Sequence, residues 1–375
     1  MYALVVLLSV VVTAAFSLAF VQRRRAWLPV FSLALALIMY SHNWGLFLAA
    51  GSIVAFAAVV RSERDGAGLL RDGLLAYAAV AFLYLPWLPT LIFQIRHTGA
   101  PWSGTPSPHE ALAAVTSLLG GAAPAMAFGL AAATGLVTLP MAARAARSPR
   151  ARATLAVAIM GLTTLSLAWL SAQVAPGWAL RYLAVLLGPL LLLGAAGLAR
   201  AGAQGAFVVL LLVVFWANPR MNLLNTKSNA HDAAVVVADR LEPGDLVVAT
   251  HPEQLPVMHV YLPERLRWAT AMGPVADPRV MDWRNAVERL ERARPTPTSD
   301  AMVRSLKSGQ HLLLVQPIIR TAKWGAPWTS LVRRRSAQWE RVLNHDPRLA
   351  RTLASPRLHG RRLPRGVRTV LYERF

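Results

Sequence analysis

Tyr40-Ser41-His42-Asn43-Trp44-Gly45-Leu46-Phe47 lies inside an apolar run that extends from Trp27 to Val60. One membrane crossing takes about 20 residues, so the run is too long for a single span, and its polar residues fall near the middle. It reads as two helices joined by a short turn at a membrane surface. That turn sets an imidazole, an amide and two aromatic rings at the edge of the bilayer, where an amphiphilic substrate can meet them.

Composition supports the membrane reading. Hydrophobic residues make up 55% of the 375 and charged ones 15%, well under the roughly 25% charge of a soluble domain. The charges concentrate in the last part of the chain. Residues 1 to 217 hold 13 Lys/Arg and 4 Asp/Glu, whereas residues 218 to 375 hold 26 and 14, a net +12 out of +21. The division is a transmembrane domain, 1–217, and an extracytoplasmic α/β domain, 218–375. Basic charge on the tail suits anionic headgroups or anionic glycan, and arginine-rich composition also follows from GC-rich coding. No nucleic-acid-binding motif accompanies it. The absence of cysteine excludes disulfides and thiolate metal sites. The first residues lack the basic start and cleavage site of a signal peptide.

Eight apolar spans follow in order, at about 3–21, 27–40, 44–60, 70–93, 111–143, 153–174, 183–199 and 205–217. The second and last are short. In the overlong fifth, Gly120-Gly121 and Pro124 predict a break between a surface segment and a crossing helix. If the spans alternate, Arg23, Arg24, Arg25, Arg61, Arg64, Arg71, Arg144, Arg147, Arg150, Arg152 and Arg200 fall on one side, against Arg96 and Arg181 on the other. The arginine-rich side is then cytoplasmic. The His42 turn, the 94–110 and 176–182 loops and the tail face outward, with Trp44, Trp87, Trp102 and Trp178 near the outer boundary as an aromatic belt.

The outward loops carry the candidate binding groups. Pro86-Trp87-Leu88-Pro89 is expected to end a helix, and Gln94-Ile95-Arg96-His97 opens a segment rich in hydrogen-bond donors. Arg96 suits a charge-assisted contact with phosphate, and equally a snorkelling interfacial arginine. Pro176-Gly177-Trp178-Ala179-Leu180-Arg181-Tyr182 sets a second arginine and a tyrosine at the start of a span. His42 suits either a substrate site or a helix-end bond to backbone.

These stretches resemble motifs of bacterial membrane glycosyltransferases of family 39, relatives of the protein mannosyltransferases and aminoarabinose transferases with the GT-C fold. Tyr40 to Phe47 resembles their Y-T-H-Y-x-G-L motif. Pro86 to Pro89, with Gln94 to Trp102, resembles P-W-x-P…Q…H-T-G-A-P-W, and Arg181-Tyr182-Leu183 resembles an R-Y-L helix start. In the tail, Pro243-Gly244-Asp245-Leu246-Val247-Val248, Pro252-Glu253-Gln254-Leu255-Pro256 and Asp282-Trp283-Arg284 resemble the pattern of actinobacterial members. The resemblance implies a GT-C-like helical bundle in the cell membrane. It implies transfer of a sugar from a polyprenyl-phosphate carrier to an extracytoplasmic protein, lipid or glycan, with His42, Asn43, Gln94, Arg96, His97, Arg181 and Tyr182 as the substrate-binding set.

In that family an acidic motif in the first extracytoplasmic loop supplies the carboxylate base, and in some relatives a divalent metal. This chain departs from the pattern. No acidic residue precedes Glu63, and Glu63, Asp65 and Asp72 fall on the cytoplasmic side, leaving Glu110 outward. Met1-Tyr2-Ala3-Leu4 resembles part of an E-A-R-M-Y-A-L stretch that lies well inside such proteins. The expectation is a chain lacking the amino-terminal catalytic loop. The alternatives are a non-catalytic protein that keeps the GT-C frame for binding or scaffolding and, third, a transporter, for which internal repeats and midplane charges are missing.

For the tail the pattern predicts helices at Asp232–Leu241, Pro252–Leu262, Val280–Arg294 and Ser330–Leu343, and strands at 246–250, 311–315 and 367–372. Strands separated by helices favour a small, mostly parallel sheet. No glycine-rich nucleotide fingerprint occurs. His251, Glu253 and His259 have a metal-like composition but match no established ligand spacing, and Arg333-Arg334-Arg335 reads as a solvated helix face.

Overall fold

The computed structural model describes residues 1–63, 66–141, 149–175, 177–217, 228–319, 326–355 and 365–375. Arg64, Asp65, Arg144, Arg147, Pro176 and the boundary at Asn218-Pro219 lie outside the described residues. Two compact units emerge, one of Met1–Arg96 with Thr105–Pro219, the other of His97–Gly104 with Arg220–Phe375. The segment His97–Gly104 joins the second unit through backbone bonds. The Asn285 N–H donates to the His97 carbonyl at 2.8 Å and the Trp328 N–H to the Pro101 carbonyl at 3.4 Å, and Trp102 packs on that unit's core.

The first unit is helical. α1 (Tyr2–Phe16) runs on through a π turn, Ser17–Val21. α2 (Leu28–Ser41) and α3 (Gly45–Ser62) flank the turn at His42–Trp44, so the apolar run does fold as two helices. α4 (Gly66–Tyr84) leads through a 3-10 turn, Leu85–Trp87, into α5 (Leu88–His97). Pro86-Trp87-Leu88-Pro89 therefore does not end the helical run. Each proline sits in a first turn, where its missing N–H costs nothing. α6 (Pro108–Leu118) and α7 (Ala122–Met141) meet at an 85° bend. Gly120 and Gly121 make it with φ of 99° and 116°, a region that glycine enters without the steric penalty of a Cβ. α8 (Pro149–Val174), a 3-10 turn (Leu180–Leu186), α9 (Leu187–Arg200) and α10 (Gly202–Ala217) complete the unit.

Among the described residues five helical stretches are long and apolar enough to cross a membrane: Tyr2–Val21, Gly45–Ser62, Gly66–His97, Pro149–Val174 and Leu180–Arg200. A sixth counts if α6 and α7 form one broken span. By length and composition this is a multi-pass membrane protein. The expected count of eight is not reached by this measure because two of the expected spans, Arg25–Ser41 and Gly202–Ala217, are shorter apolar helices.

Helices in lipid associate through close packing and buried hydrogen bonds rather than through water exclusion, and this unit uses both. Phe16, Phe20, Phe31, Phe56 and Tyr77 interlock edge to face, with centroids 4.9 to 6.0 Å apart, a geometry favoured by ring quadrupoles. Tyr77 Oη donates to Ser52 Oγ at 3.0 Å, and Ser32 Oγ on α2 donates to the Ala76 carbonyl on α4 at 3.0 Å. Where α9 meets α1, a Cβ added at Gly188 would lie 2.2 Å from the Ser9 carbonyl oxygen. The Gly188 N–H donates to Ser9 Oγ at 3.0 Å.

Two ion pairs tie residues that the alternation of spans puts on one side. Arg25 Nε binds Asp72 at 2.8 Å, and Arg152 binds Glu63. Asp72 is nearly buried, so its charge depends on its partners, Arg25 and, at 3.8 Å, Arg71.

The second unit is a sheet between two helical layers. Its elements are α11 (Ala230–Ala238), β1 (Leu246–Ala249), α12 (Leu255–Tyr261), β2 (Arg267–Thr270), β3 (Gly273–Pro274), α13 (Ala286–Arg292), α14 (Pro295–Arg304), β4 (His311–Ile319), α15 (Pro327–Asn344), β5 (Leu349–Ala354) and β6 (Arg365–Arg374). Strand order is β3-β2-β1-β4-β6-β5. β1 pairs in parallel with β2 and β4, and the other three pairings are antiparallel. The sheet is thus mixed rather than mostly parallel. Side-chain alternation sends Val247, Ala249, Leu313, Val315 and Leu371 toward α11 and α12. It sends Val248, Leu312, Leu314, Val370 and Tyr372 toward α13, α14 and α15.

Polar side chains fix the joints. Asp245, 1% exposed, accepts from the Glu242 N–H at 2.9 Å, the His311 N–H at 2.7 Å and His311 Nδ1 at 3.1 Å, locking the turn before β1 to the start of β4. Asn229, just before α11, donates to the Val367 carbonyl at 2.9 Å and accepts the Val367 N–H at 2.8 Å. The expected Val280–Arg294 helix shortens to α13 because the Asp282 carboxylate captures the Arg284 N–H and Asn285 adopts φ 47°. Arg335 leaves the expected solvated face: its guanidinium donates to the Leu290 and Glu291 carbonyls at the end of α13.

Candidate functional site

The turn between α2 and α3 is built by its own histidine. The His42 carbonyl accepts the Gly45 N–H at 2.8 Å, and its Nδ1 accepts the Trp44 N–H at 3.1 Å. An acceptor Nδ1 carries no proton, so the ring proton sits on Nε2. Burial, and then the positive charge of Arg181, push the His42 pKa down to about 4, which keeps the ring neutral at pH 7.

Around this ring the bundle gathers aromatic and cationic groups. The His42 centroid lies 4.7 Å from that of Tyr182 and 5.8 Å from that of Tyr2. Arg181 Nε donates to Tyr2 Oη at 3.2 Å, and its guanidinium carbon stands 5.3 Å from the Tyr182 centroid, within cation–π range. Trp44 adds contacts to Tyr182 at 5.5 Å and Trp178 at 5.8 Å. Beside this cluster, Asn43 Nδ2 donates to Gln94 Oε1 at 2.9 Å, joining the turn to α5. Tyr40, whose hydroxyl donates to the Leu83 carbonyl at 2.8 Å, stacks its ring edge on Tyr84 and Trp87.

Of the residues singled out from sequence, His42, Arg181 and Tyr182 come together, and Asn43 pairs with Gln94. Arg96 is exposed at the last turn of α5. His97 belongs to the second unit, with Nδ1 3.4 Å from Asn285 Oδ1. Sequence reasoning did not pick Tyr2, Trp44 or Trp178 as members of the His42 cluster. The signal for Tyr2 was an aromatic polar tip at the mouth of an otherwise apolar helix, the position an interfacial side chain takes.

Chemically the cluster offers one guanidinium, one neutral imidazole, phenol hydroxyls and indole rings. A divalent ion of the Mg²⁺ or Ca²⁺ kind takes carboxylate oxygens, and the cluster members named above, Tyr2, His42, Trp44, Trp178, Arg181 and Tyr182, carry none. Glu110 forms the capping box of α6, accepting from the Ser107 N–H at 2.9 Å. Glu63 and Asp72 are held in their ion pairs. In the second unit, His251 Nε2 lies 3.8 Å from Glu253, and His259 packs against Trp268. Among the described residues no group of three or more His, Cys, Asp or Glu is placed to share a metal ion.

Comparison with family models, with curated proteins and with solved structures returns no match to this chain.

Proposed function

We propose that the chain is a GT-C-like membrane glycosyltransferase component. Its His42 end would bind a polyprenyl-phosphate-linked sugar on the outer side of the cell membrane, for transfer to an extracytoplasmic protein, lipid or glycan. The observation that carries this reading is Arg181, a guanidinium set between Tyr2 and Tyr182 where an apolar helical bundle ends. A lipid-anchored phosphate arrives at that depth, and a guanidinium can accept it through two parallel N–H bonds. The aromatic walls suit the first isoprene units and a sugar face. One further observation supports the orientation: the ion pairs described in the membrane unit, Arg25 and Arg71 with Asp72 and Arg152 with Glu63, lie on the arginine-rich side, which the positive-inside rule assigns to the cytoplasm. The second unit, which follows α10, is then extracytoplasmic.

In the transfer itself, the bond between the anomeric carbon and the phosphate oxygen breaks as the acceptor oxygen bonds to that carbon, the polyprenyl phosphate leaves as an anion, and the acceptor proton passes to a base. His42 is a weak base with its pKa near 4, and the base is assigned to no residue here. This favours a second reading beside the first, in which the chain binds the lipid donor without turning it over.

The test is binding and turnover of a polyprenyl-phosphate hexose by the purified chain. Arg181→Ala should weaken donor binding by roughly 10–100-fold, the worth of a hydrogen bond to a charged group, while Arg23→Ala leaves it unchanged. Turnover by the wild type selects the enzyme; binding alone selects the second reading. Donor affinity unaffected by Arg181→Ala removes both.

A further inference from the structure

Two uncharged runs fix one level of the membrane unit. From Tyr2 to Gln22, and again from Gly73 to Ile95, the chain carries no acidic or basic side chain, and each run is long enough to cross the apolar core of a bilayer. Arg23, Arg24 and Arg25 follow the first run, and Arg71 and Asp72 precede the second. Arg25 Nε meets Asp72 at 2.8 Å, so these two run ends lie side by side. Charged groups placed there share the depth of the lipid phosphates.

The turn that follows α1 brings its arginines to α4. Arg23 adopts φ 59°, a left-handed conformation that a residue with a Cβ enters at a steric cost, and the Arg24 N–H closes the turn on the Leu18 carbonyl at 3.0 Å. The Cβ that Gly68 lacks would stand 3.5 Å from an Arg23 guanidinium nitrogen, so the Arg23 side chain reaches the first turns of α4. Gly68 and Asp72 are four residues apart and share one face of that helix. Arg71 adds its guanidinium 3.8 Å from the same carboxylate.

One carboxylate thus stands among four guanidiniums. Asp72 engages Nε of Arg25, whose two Nη nitrogens have no protein partner among the described residues, and Arg23 and Arg24 make no ion pair there. Arg25 and Arg71 keep 61% and 67% of their side chains exposed, and Arg23 and Arg24 are exposed too. A guanidinium carries five N–H donors, so the corner holds a surplus of donors and of positive charge. Membrane topology is set by the count of basic residues. It calls for neither a nearly buried carboxylate that orients Arg25 nor a left-handed arginine.

We propose that this corner, between the turn after α1 and the start of α4, binds the phosphate of an anionic phospholipid headgroup. Its oxygens accept from Arg23, Arg24 and the Nη nitrogens of Arg25, a charge-assisted contact that guanidinium forks suit. The surplus charge selects among lipids: a choline headgroup brings its own cation and is disfavoured, whereas a glycerol headgroup leaves the phosphate charge uncompensated. The site uses no residue of the His42 cluster and stands independently of the transferase reading.

The test is a native mass spectrometry titration of the full chain in an uncharged detergent, with phosphatidylglycerol and phosphatidylcholine of identical acyl chains as probes. The wild type should retain phosphatidylglycerol at lower lipid concentration than phosphatidylcholine. Arg23→Gly combined with Arg24→Gln should weaken phosphatidylglycerol binding by roughly 25-fold, about fivefold for each arginine at a lipid surface, and leave phosphatidylcholine unchanged. Glycine at position 23 relieves the left-handed backbone, so this variant should melt no lower than the wild type, which separates loss of the site from loss of the fold. Arg292→Gln combined with Arg334→Gln, an equal loss of exposed charge in the second unit, should bind as the wild type does. The proposal is overturned if the wild type retains neither lipid or does not distinguish them, if the Arg23 and Arg24 variant keeps wild-type affinity for phosphatidylglycerol, or if the control pair loses as much.

Discussion

Gly188→Ala is the smallest perturbation that the membrane unit should feel strongly. A methyl at this position of α9 would stand 2.2 Å from the Ser9 carbonyl oxygen and 2.8 Å from Thr13 Oγ1, inside the 3.0 Å that real Cβ contacts essentially never breach. The obstacle is backbone, so no rotamer change relieves it, and α9 must move from α1 by roughly an ångström, the scale at which dispersion contacts are forfeited. Overpacking of this kind costs about 1–3 kcal/mol. The same movement stretches the 3.0 Å bond from the Gly188 N–H to Ser9 Oγ, worth about 1 kcal/mol. A total near 2–4 kcal/mol lowers the melting temperature of a domain of this size by roughly 4–16 °C. Gly129→Ala on α7, where a Cβ meets nothing within 4 Å, controls for helix propensity and should be neutral or slightly stabilising. Both variants can be compared with the wild type by thermal unfolding in detergent. If Gly188→Ala melts with the wild type, the close approach of α1 and α9 is wrong, and with it the packing argument for this unit.

Two further outcomes follow from the charges. Arg25→Ala should destabilise the bundle more than Arg25→Ala combined with Asp72→Asn, because the single change leaves a nearly buried carboxylate with only the looser Arg71 contact at 3.8 Å; equal losses in a double-mutant cycle would deny the ion pair any coupling. His42, with its pKa lowered to about 4 from 6.5, takes up protons more readily unfolded than folded. Its contribution to stability is therefore complete above pH 6.5 and is lost as pH falls toward 4. His42→Gln should flatten the stability profile in that window, and an unchanged slope would contradict the buried, Arg181-facing ring.

Much of the membrane unit was legible because its signals are local. A run too long for one span, interrupted by Ser41-His42-Asn43, can only be two helices and a turn, and Gly120-Gly121 announces a bend through backbone freedom alone. Trp87 and its flanking prolines misled for an equally physical reason: a proline in a first turn and a proline that ends a helix look the same until the next turn is seen. The sheet was harder. β2 and β5 are short and carry charged residues, Arg267 and Arg351, so no apolar run marks them, and Pro295 and Pro297 hide the start of α14. The pairing of β6 beside β4 rather than beside a parallel neighbour depends on contacts across the fold that periodicity does not encode. At the site, Arg181 and Tyr182 could be suspected from their place at a span start. That Tyr2 closes the same cluster from 179 residues away is tertiary information.

The position of β6 also sets the order in which the second unit can be made. β4 has its full complement of neighbours only when Arg365–Arg374 arrives, and β5 pairs with β6 alone among the described strands. Asn229, at the beginning of the unit, clasps Val367 across 138 residues. Until that late segment has been synthesised, the sticky edge of Leu312-Leu313-Leu314-Val315 is unguarded. Assembly is accordingly a single late event, and a nascent chain halted before residue 365 should be a ward of chaperones and proteases rather than a partly finished domain.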